Sequence, residues 1–331
     1  MSAVAEQSLL RSALAGDEDA FRALTSPHTR ELHVHCYRML GSLHDAEDAL
    51  QETLFRAWRH IATFESRSSF RAWLYRIATN VCLRAAAERE PPVADAHSYP
   101  STPETIEQLA LTPYPDAWLD ELPAREAAPA ARYELEESVQ LAFLTAIQLL
   151  PPRQRAVLLL RDVLGWSARE VADLLDATTA SVNSALQRAR ATLGERRPLR
   201  SAPSDEVERS LLSRYVDAWQ AVDIDGLVAL LREDAFMTMP PQPMLFRGRR
   251  AIGDFFATVP AGGRLDLIRL VPTRANRRPA LAAYGPDPED GVYRPYGIMV
   301  FAIDGDAITE ITGFADPSLF AAFGLPDELE S

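Results

Sequence analysis

Residues 45–83 read DAEDALQETLFRAWRHIATFESRSSFRAWLYRIATNVCL, and this stretch decides how the chain is built. Leu43, Ala46, Leu50, Leu54, Ala57 and Ile61 recur at helical spacing, which predicts one apolar stripe turned inward. Asp45, Asp48, Glu52, Arg56 and Arg59 form the opposite stripe, and periodicity alone makes that a solvated helix face. A second helix follows in SSFRAWLYRIATNVCLRAAAERE, with Phe70, Trp73, Leu74, Ile77, Ala78, Val81 and Cys82 as its apolar set. Arg71, Arg76, Asn80 and Arg84 project among aromatic side chains. Arginine neutralises phosphate while Trp and Tyr stack on unpaired bases, so the mixture suits a single nucleic-acid strand. Trp73 and Tyr75 would serve equally well as plain core. A short polar loop, FESRSSF, joins the two helices between Phe64 and Phe70.

Further along, IQLLPPRQRAVLLLRDVLGWSAREVADLLDATTASVNSALQRARATLGERR carries a second dense pattern. Ser167 to Glu170 reads as a capping box opening a helix, Asp176 to Thr179 as a turn, and a further helix follows. Val182, Leu186, Ala189 and Leu193 fall inward, leaving Asn183, Ser184, Gln187, Arg188 and Arg190 outside. Amide, hydroxyl and guanidinium groups near the start of such a helix are what major-groove reading requires. Between Ser181 and Arg200 there are five Arg and one acid, so this surface is locally basic.

The whole chain is acidic: net −13, with every one of its 34 basic residues an arginine. That balance argues against nonspecific coating of nucleic acid and leaves local basic faces open. At 331 residues, two to three domains are expected at about 100–150 residues each. No run approaches the ~18 apolar residues of a membrane span, and acids occupy the amino-terminal positions where an export signal has its apolar core. A cytoplasmic protein without membrane contact is expected. Cys36 and Cys82 lack CxxC spacing and read as buried thiols, not as a disulfide framework or zinc site. His33 and His35, two apart, cannot share a helix face, and surface or partly packed histidines are expected there. Neither a metal nor a cofactor is expected.

Two breaks set the expected domains. Glu90 to Ala130 is rich in Pro and Ala, with eight acids against Arg125 alone, and Glu195 to Glu206 makes a shorter break. The expected pieces are a helical domain over 1–90, an acidic linker over 91–130, a helix-turn-helix over 131–198 and an α+β domain over 204–331. The last begins with the helices VERSLLSRYVDAWQAVD and IDGLVALLRE. Strand-like runs AFMTM, RLDLIRLVPTRAN, ALAAYG, YGIMVFAI and AITEITGF follow, and IDGD supplies a hairpin turn. Trp219, Phe236, Met237, Met239, Phe255 and Phe301 are expected inside it. Catalysis would need a pocket acid or base; no histidine follows His97, leaving Asp254, Tyr296 and Asp316 as conceivable groups.

Residues 45–83 are similar, nearly residue by residue, to sigma region 2 of the extracytoplasmic-function sigma factors. The helix-turn-helix resembles sigma region 4, and residues 204–331 look like the SnoaL-like cone fold. The resemblance implies two all-α domains followed by an α+β SnoaL-like domain, and no enzyme. It implies docking on the clamp helices of the largest subunit of core RNA polymerase by Asp48, Gln51, Glu52 and Leu54. Promoter contacts near the −10 element would fall on Phe64, Ser68, Ser69, Arg76 and Asn80. A loop that captures a flipped base makes sense where a protein opens DNA, since the base offsets lost stacking. In the −35 element Asn183, Ser184, Gln187 and Arg188 would read bases. Arg190, like Arg153 and Arg155, would meet phosphate or a partner such as the polymerase flap. The family also implies a carboxy-terminal domain that modulates activity through intramolecular contact with residues 1–198. Two other readings remain: a helix-turn-helix regulator with a ligand-sensing domain, which leaves residues 45–83 idle, and a SnoaL-like isomerase or hydrolase.

Overall fold

A computed structural model describes residues 3–64, 69–88, 111–122, 138–193 and 204–329. The chain falls into two units, one of residues 1–92 and 118–194, the other of residues 93–117 and 195–331.

The first unit is helical. It contains α1 (Ala3–Leu14), α2 (Glu18–Leu40), α3 (Leu43–His60), α4 (Phe70–Ala87), α5 (Leu141–Gln148), α6 (Pro152–Leu158), α7 (Ala168–Leu174) and α8 (Thr179–Leu193). Polar side chains set the helix starts by accepting from amides that would otherwise lack partners. Asp17 accepts from the Ala20 amide at 3.0 Å, Ser42 from Asp45 at 3.2 Å and Ser69 from Ala72 at 3.1 Å. Gly41 ends α2 at φ 81°, a left-handed conformation that glycine adopts without a Cβ penalty. A Cβ there would also lie 3.2 Å from the Gln148 side chain, so the missing atom lets α5 approach.

The inward stripe of α3 holds at Leu43, Ala46, Leu50 and Ala57, with Ala49 and Thr53 beside it, whereas Leu54 is only half-buried. Cys36 and Cys82 are both buried and free, and a hydrogen bond between them, with burial, pushes the Cys82 thiol up. His33 and His35 are buried too, against the expectation of surface or partly packed rings. The His35 ring nitrogen Nε2 lies 2.9 Å from Thr79 Oγ1, and the His33 ring stands edge-on to Trp118 at 5.5 Å. Two histidines two apart do point to different partners, and here both directions lead inward.

The second unit is α+β. α9 (Asp205–Gln220) and α10 (Ile224–Ala229) precede a six-stranded sheet of order β2-β1-β6-β5-β4-β3. Its strands are β1 (Leu231–Met239), β2 (Gln242–Arg247), β3 (Arg269–Ala275), β4 (Arg278–Pro286), β5 (Tyr293–Asp304) and β6 (Ala307–Phe314). β1 and β6 pair in parallel and the rest antiparallel. α11 (Gly248–Thr258) lies between β2 and β3 in sequence, and α12 (Leu319–Ala322) follows the sheet. Tyr215, Trp219, Phe256 and Phe301 form the aromatic centre of the core, with Tyr215 edge-on to Phe301 at 5.0 Å.

β6 covers AITEITGF, and Gly305 turns the IDGD hairpin at φ 64°. Other expectations shift. IDGLVALLRE is helical only to Ala229, and its last residues open β1, because a short apolar run fits either period. β2 and α11 were not expected, although Ile252, Phe255 and Phe256 carry a helical spacing. Phe236 is half-buried while Met237 is buried: neighbours on a strand face opposite ways, so only one of them joins the interior.

Candidate nucleic-acid interface

On α3, Asp48 and Gln51 are exposed, and Glu52 is half-buried in an ion pair with Arg56. Phe55 stands among them with 54 % of its surface exposed, an unusual place for a large ring. The guanidinium of Arg59 covers part of it at 5.5 Å. The sequence pattern passes over Phe55 because it belongs to neither stripe. The exposed strip is thus acidic at one end and apolar at the other, with Leu54 at its edge.

α3 and α4 enclose a shallow groove of about 600 Å³. Arg56, His60, Trp73, Arg76, Asn80 and Arg84 line it, placing cations, an amide and one ring on a single surface. Arg76 and Asn80 are thereby brought together, and Arg56, His60 and Arg84 join them. Phe64 does not stand free: its ring lies 5.5 Å from both Phe70 and Trp73 in an aromatic cluster. The Ser69 hydroxyl oxygen is engaged as the cap of α4. Ser68 lies outside the described residues. Arg71 is engaged within the protein, where it pairs with half-buried Glu31 at 2.7 Å and lies over Tyr75. Burial alone would raise the Glu31 carboxyl, but hydrogen bonds from His28 and Arg71 outweigh it and hold it down at about 2.

The helix-turn-helix is built by local chemistry. Ser167 and Glu170 close a full capping box on α7. Asp176 turns at φ 48°, and the Ala177 amide donates to the Ala172 carbonyl at 2.9 Å. The Thr178 hydroxyl accepts from the Ser181 amide at 3.1 Å to start α8. Val182, Ala185, Leu186 and Ala189 are buried, which leaves Asn183, Ser184, Gln187 and Arg188 exposed on one face. Arg190 points elsewhere and forms a two-bond pair with Asp162 at 2.8 and 3.0 Å.

Of the two arginines expected to meet phosphate or a partner, Arg155 is corrected, because it is buried, while Arg153 stays exposed. Arg153 donates to the Leu175 carbonyl at 3.0 Å, at the end of α7. Arg155 is buried, and its guanidinium donates to the carbonyls of Ile147, Gln148, Leu150 and Met39 and to the Gln148 side chain. Met39 lies in the last turn of α2, so this arginine joins α6 to the helices of the amino-terminal block. Gln148 adds a bond to the Arg38 carbonyl at 3.2 Å. Nearby, Arg76 of the groove donates twice to the Asp176 carboxylate of the turn, at 2.8 and 2.9 Å.

In the second unit, residues Leu111–Ala117 are fastened to the β3–β4 hairpin, although their composition reads as open linker. Leu111 and Tyr114 are buried. The Tyr114 amide donates to Asn276 Oδ1 and its carbonyl accepts from the Asn276 amide, both at 2.9 Å. Pro115 bridges to Ala275. Asp116 accepts from the Arg277 amide at 2.7 Å and pairs with Arg274 at 3.3 Å. Asn276 and Arg277 sit at φ 56° and 60°, the pair of left-handed residues a tight hairpin needs, and their amides face outward to this segment. Burial pushes the Asp116 carboxyl up, against the pull of the Arg277 amide and Arg274. The remainder of the acidic linker, apart from 118–122, lies outside the described residues.

Comparison with known proteins agrees with this division. Residues 24–90 match the family described as Sigma-70 region 2, residues 140–193 match Sigma-70 region 4, and residues 212–311 match the SnoaL-like domain. The chain is 43% identical over 321 residues to the ECF RNA polymerase sigma factor SigG of Mycobacterium tuberculosis, covering 93% of this chain and 85% of that protein. It is 30% identical over 178 residues to SigW of Bacillus subtilis, covering 54% and 89%. In fold it is similar to the crystal structure of Mycobacterium tuberculosis SigJ, with a TM-score of 0.57 at 22% identity over 94% of this chain and all of that one.

Proposed function

Because the chain belongs to the extracytoplasmic-function RNA polymerase sigma factors and serves promoter-directed transcription initiation, we propose a division of labour among its surfaces and a way they are held in check. The exposed strip of α3 (Asp48, Gln51, Glu52, Leu54 and Phe55) docks on core polymerase. The groove of Arg76 and Asn80 takes the melted −10 strand, where cations and Trp73 meet phosphates and unpaired bases. Asn183, Ser184, Gln187 and Arg188 read the −35 element from the major groove. This work takes place in the cytoplasm and involves no catalysis. Among the described residues, Tyr296 is the ionisable group that lines the cavity of the second unit, and Asp254 and Asp316 are not part of that lining.

Arg188→Ala and Glu52→Arg separate the first two roles. Arg188→Ala is expected to relax sequence preference in the −35 element by about 1–3 kcal/mol, measured by binding to substituted promoters with core polymerase present. Glu52→Arg is expected to weaken association with core polymerase and leave that preference unchanged. The same defect from both changes would refute the division.

The Arg76–Asp176 pair carries the second half of the reading. Elements centred about 25 base pairs apart are separated by about 85 Å of duplex at 3.4 Å per base pair. A groove and a helix-turn-helix joined by a 2.8 Å ion pair cannot occupy both at once. The first unit is therefore a closed state, and initiation requires its opening. The roughly 50 residues between Glu88 and Ser138 reach about 170 Å when extended, ample for that separation. Part of this tether, Leu111–Ala117, is held by the SnoaL-like domain, so opening has to carry that domain along or break its hold, and the domain restrains opening in this way. Asp116→Ala removes the carboxylate from the Arg277 amide and Arg274. It is expected to raise promoter-dependent transcription several-fold in a reconstituted run-off assay. Unchanged or lower output from a normally folded variant would overturn the restraint.

A further inference from the structure

A cavity of about 140 Å³ lies inside the second unit, bounded by α9 and α11 and by strands of the sheet. Met237, Met239, Met244 and Met299 line it, four of the chain's six methionines. Trp219 and Phe256 contribute rings set edge to face at 5.5 Å. The Trp219 indole N–H donates to the Ile268 carbonyl at 3.2 Å, so it is already satisfied and offers the cavity only its ring. Gly313 leaves space, since a Cβ there would stand 3.4 Å from Met239 Cγ. Two lining side chains, Val259 and Tyr296, are 52 % and 49 % exposed and so mark the opening to solvent.

The lining sets the chemistry of an occupant. No Asp, Glu, His or Arg belongs to it among the described residues, so an ion entering would lose water and find no counter-charge. The volume matches the apolar cavity of about 150 Å³ that takes up benzene. Thioethers favour ring edges and adapt their rotamers to shape, and ring pairs prefer edge-to-face contact, so an aromatic fits better than an aliphatic of equal size. Gln242 and the Tyr296 hydroxyl can meet one polar substituent. We propose that this cavity binds a neutral single-ring aromatic molecule bearing at most one hydroxyl or similar uncharged group. Binding of this kind goes beyond the sigma-factor reading and stands without it.

Titration calorimetry of the full chain with p-cresol tests the assignment. Saturable one-to-one binding is expected, at least tenfold tighter than that of 4-methylbenzoate, which has the same ring with a charge. Met244 is half-buried, so Met244→Gln places an amide at the cavity with little strain on the fold. It is expected to weaken p-cresol at least tenfold. A spectroscopic measurement makes the outcome independent of that variant's stability. With methyl-labelled methionine, p-cresol should shift the resonances of Met237, Met239, Met244 and Met299 and leave Met39, buried in the first unit, in place. Absence of saturable binding, equal affinity for 4-methylbenzoate, or shifts at Met39 as large as those of the cavity methionines would each overturn it.

Discussion

Arg155→Met is expected to lower the unfolding free energy of the first unit by about 4 kcal/mol, one of the largest single-residue effects in the molecule. Methionine fills similar space but carries no N–H group. Arg155 donates to Ile147 at 2.9 Å, to Gln148 at 2.7 Å and to Leu150 at 3.2 Å, and also to Met39 and the Gln148 side chain. Removing all of these at once strands buried carbonyls, each worth about 1–3 kcal/mol when left unpaired. Lysine should not rescue it, since one ammonium cannot span acceptors arranged around a planar fork. Four of the five tryptophans (Trp58, Trp73, Trp118 and Trp166) lie in the first unit, so urea unfolding followed by fluorescence reports on it. A loss below about 1 kcal/mol would show that the carbonyls find other partners.

Acid should destabilise the same unit, beginning well above the carboxylate range. Burial, with the nearby Arg30 charge, lowers His33 to about 4. Burial, with the charges of Arg38 and Arg71, lowers His35 to about 3. Unfolded, both titrate near 6.5. The unfolded chain therefore binds more protons than the folded one below pH 6.5, and stability falls as pH falls. The loss starts near pH 6.5 and continues until each ring protonates in place, near pH 4 and pH 3. At pH 5 each histidine costs on the order of 2 kcal/mol relative to pH 7. Glu31, held at about 2, adds a loss of the same sign below about pH 4.5. Urea unfolding at pH 7, 6 and 5 should show the decline. A flat profile over that range would mean that the two rings are not buried in neutral form.

Residues with short-range signals were the readable ones. The capping box at Ser167 and Glu170 and the spacing of Val182, Leu186 and Ala189 orient α8 by themselves, so the exposed quartet from Asn183 to Arg188 follows from periodicity. The charged stripe of α3 was readable for the same reason. Periodicity names a face and stays silent about what covers it. Arg71, Arg153, Arg155 and Arg190 all lie in basic helical stretches, yet each is engaged by an acid or a carbonyl of the protein itself. The Tyr114–Asn276 contact joins residues 162 apart, and nothing in a Pro- and Ala-rich run announces that separation. Burial of His33 and His35 was hidden because it depends on Trp118 and Thr79, which other parts of the chain deliver.

β3 is the last strand of its sheet, and on its outer side the bridge from Pro115 to Ala275 covers part of what would be a bare margin. In the proposed opened state that margin would be uncovered, and an uncovered strand margin is a template for pairing with another extended chain. Proline, which cannot donate there, is also a poor template for a growing ladder, so its presence suits a removable cover. In the opened state proposed for initiation, the protein is then in its more adhesive form. Release of the tether sets a limit on how long and how concentrated the free, opened molecule can remain before polymerase takes it up.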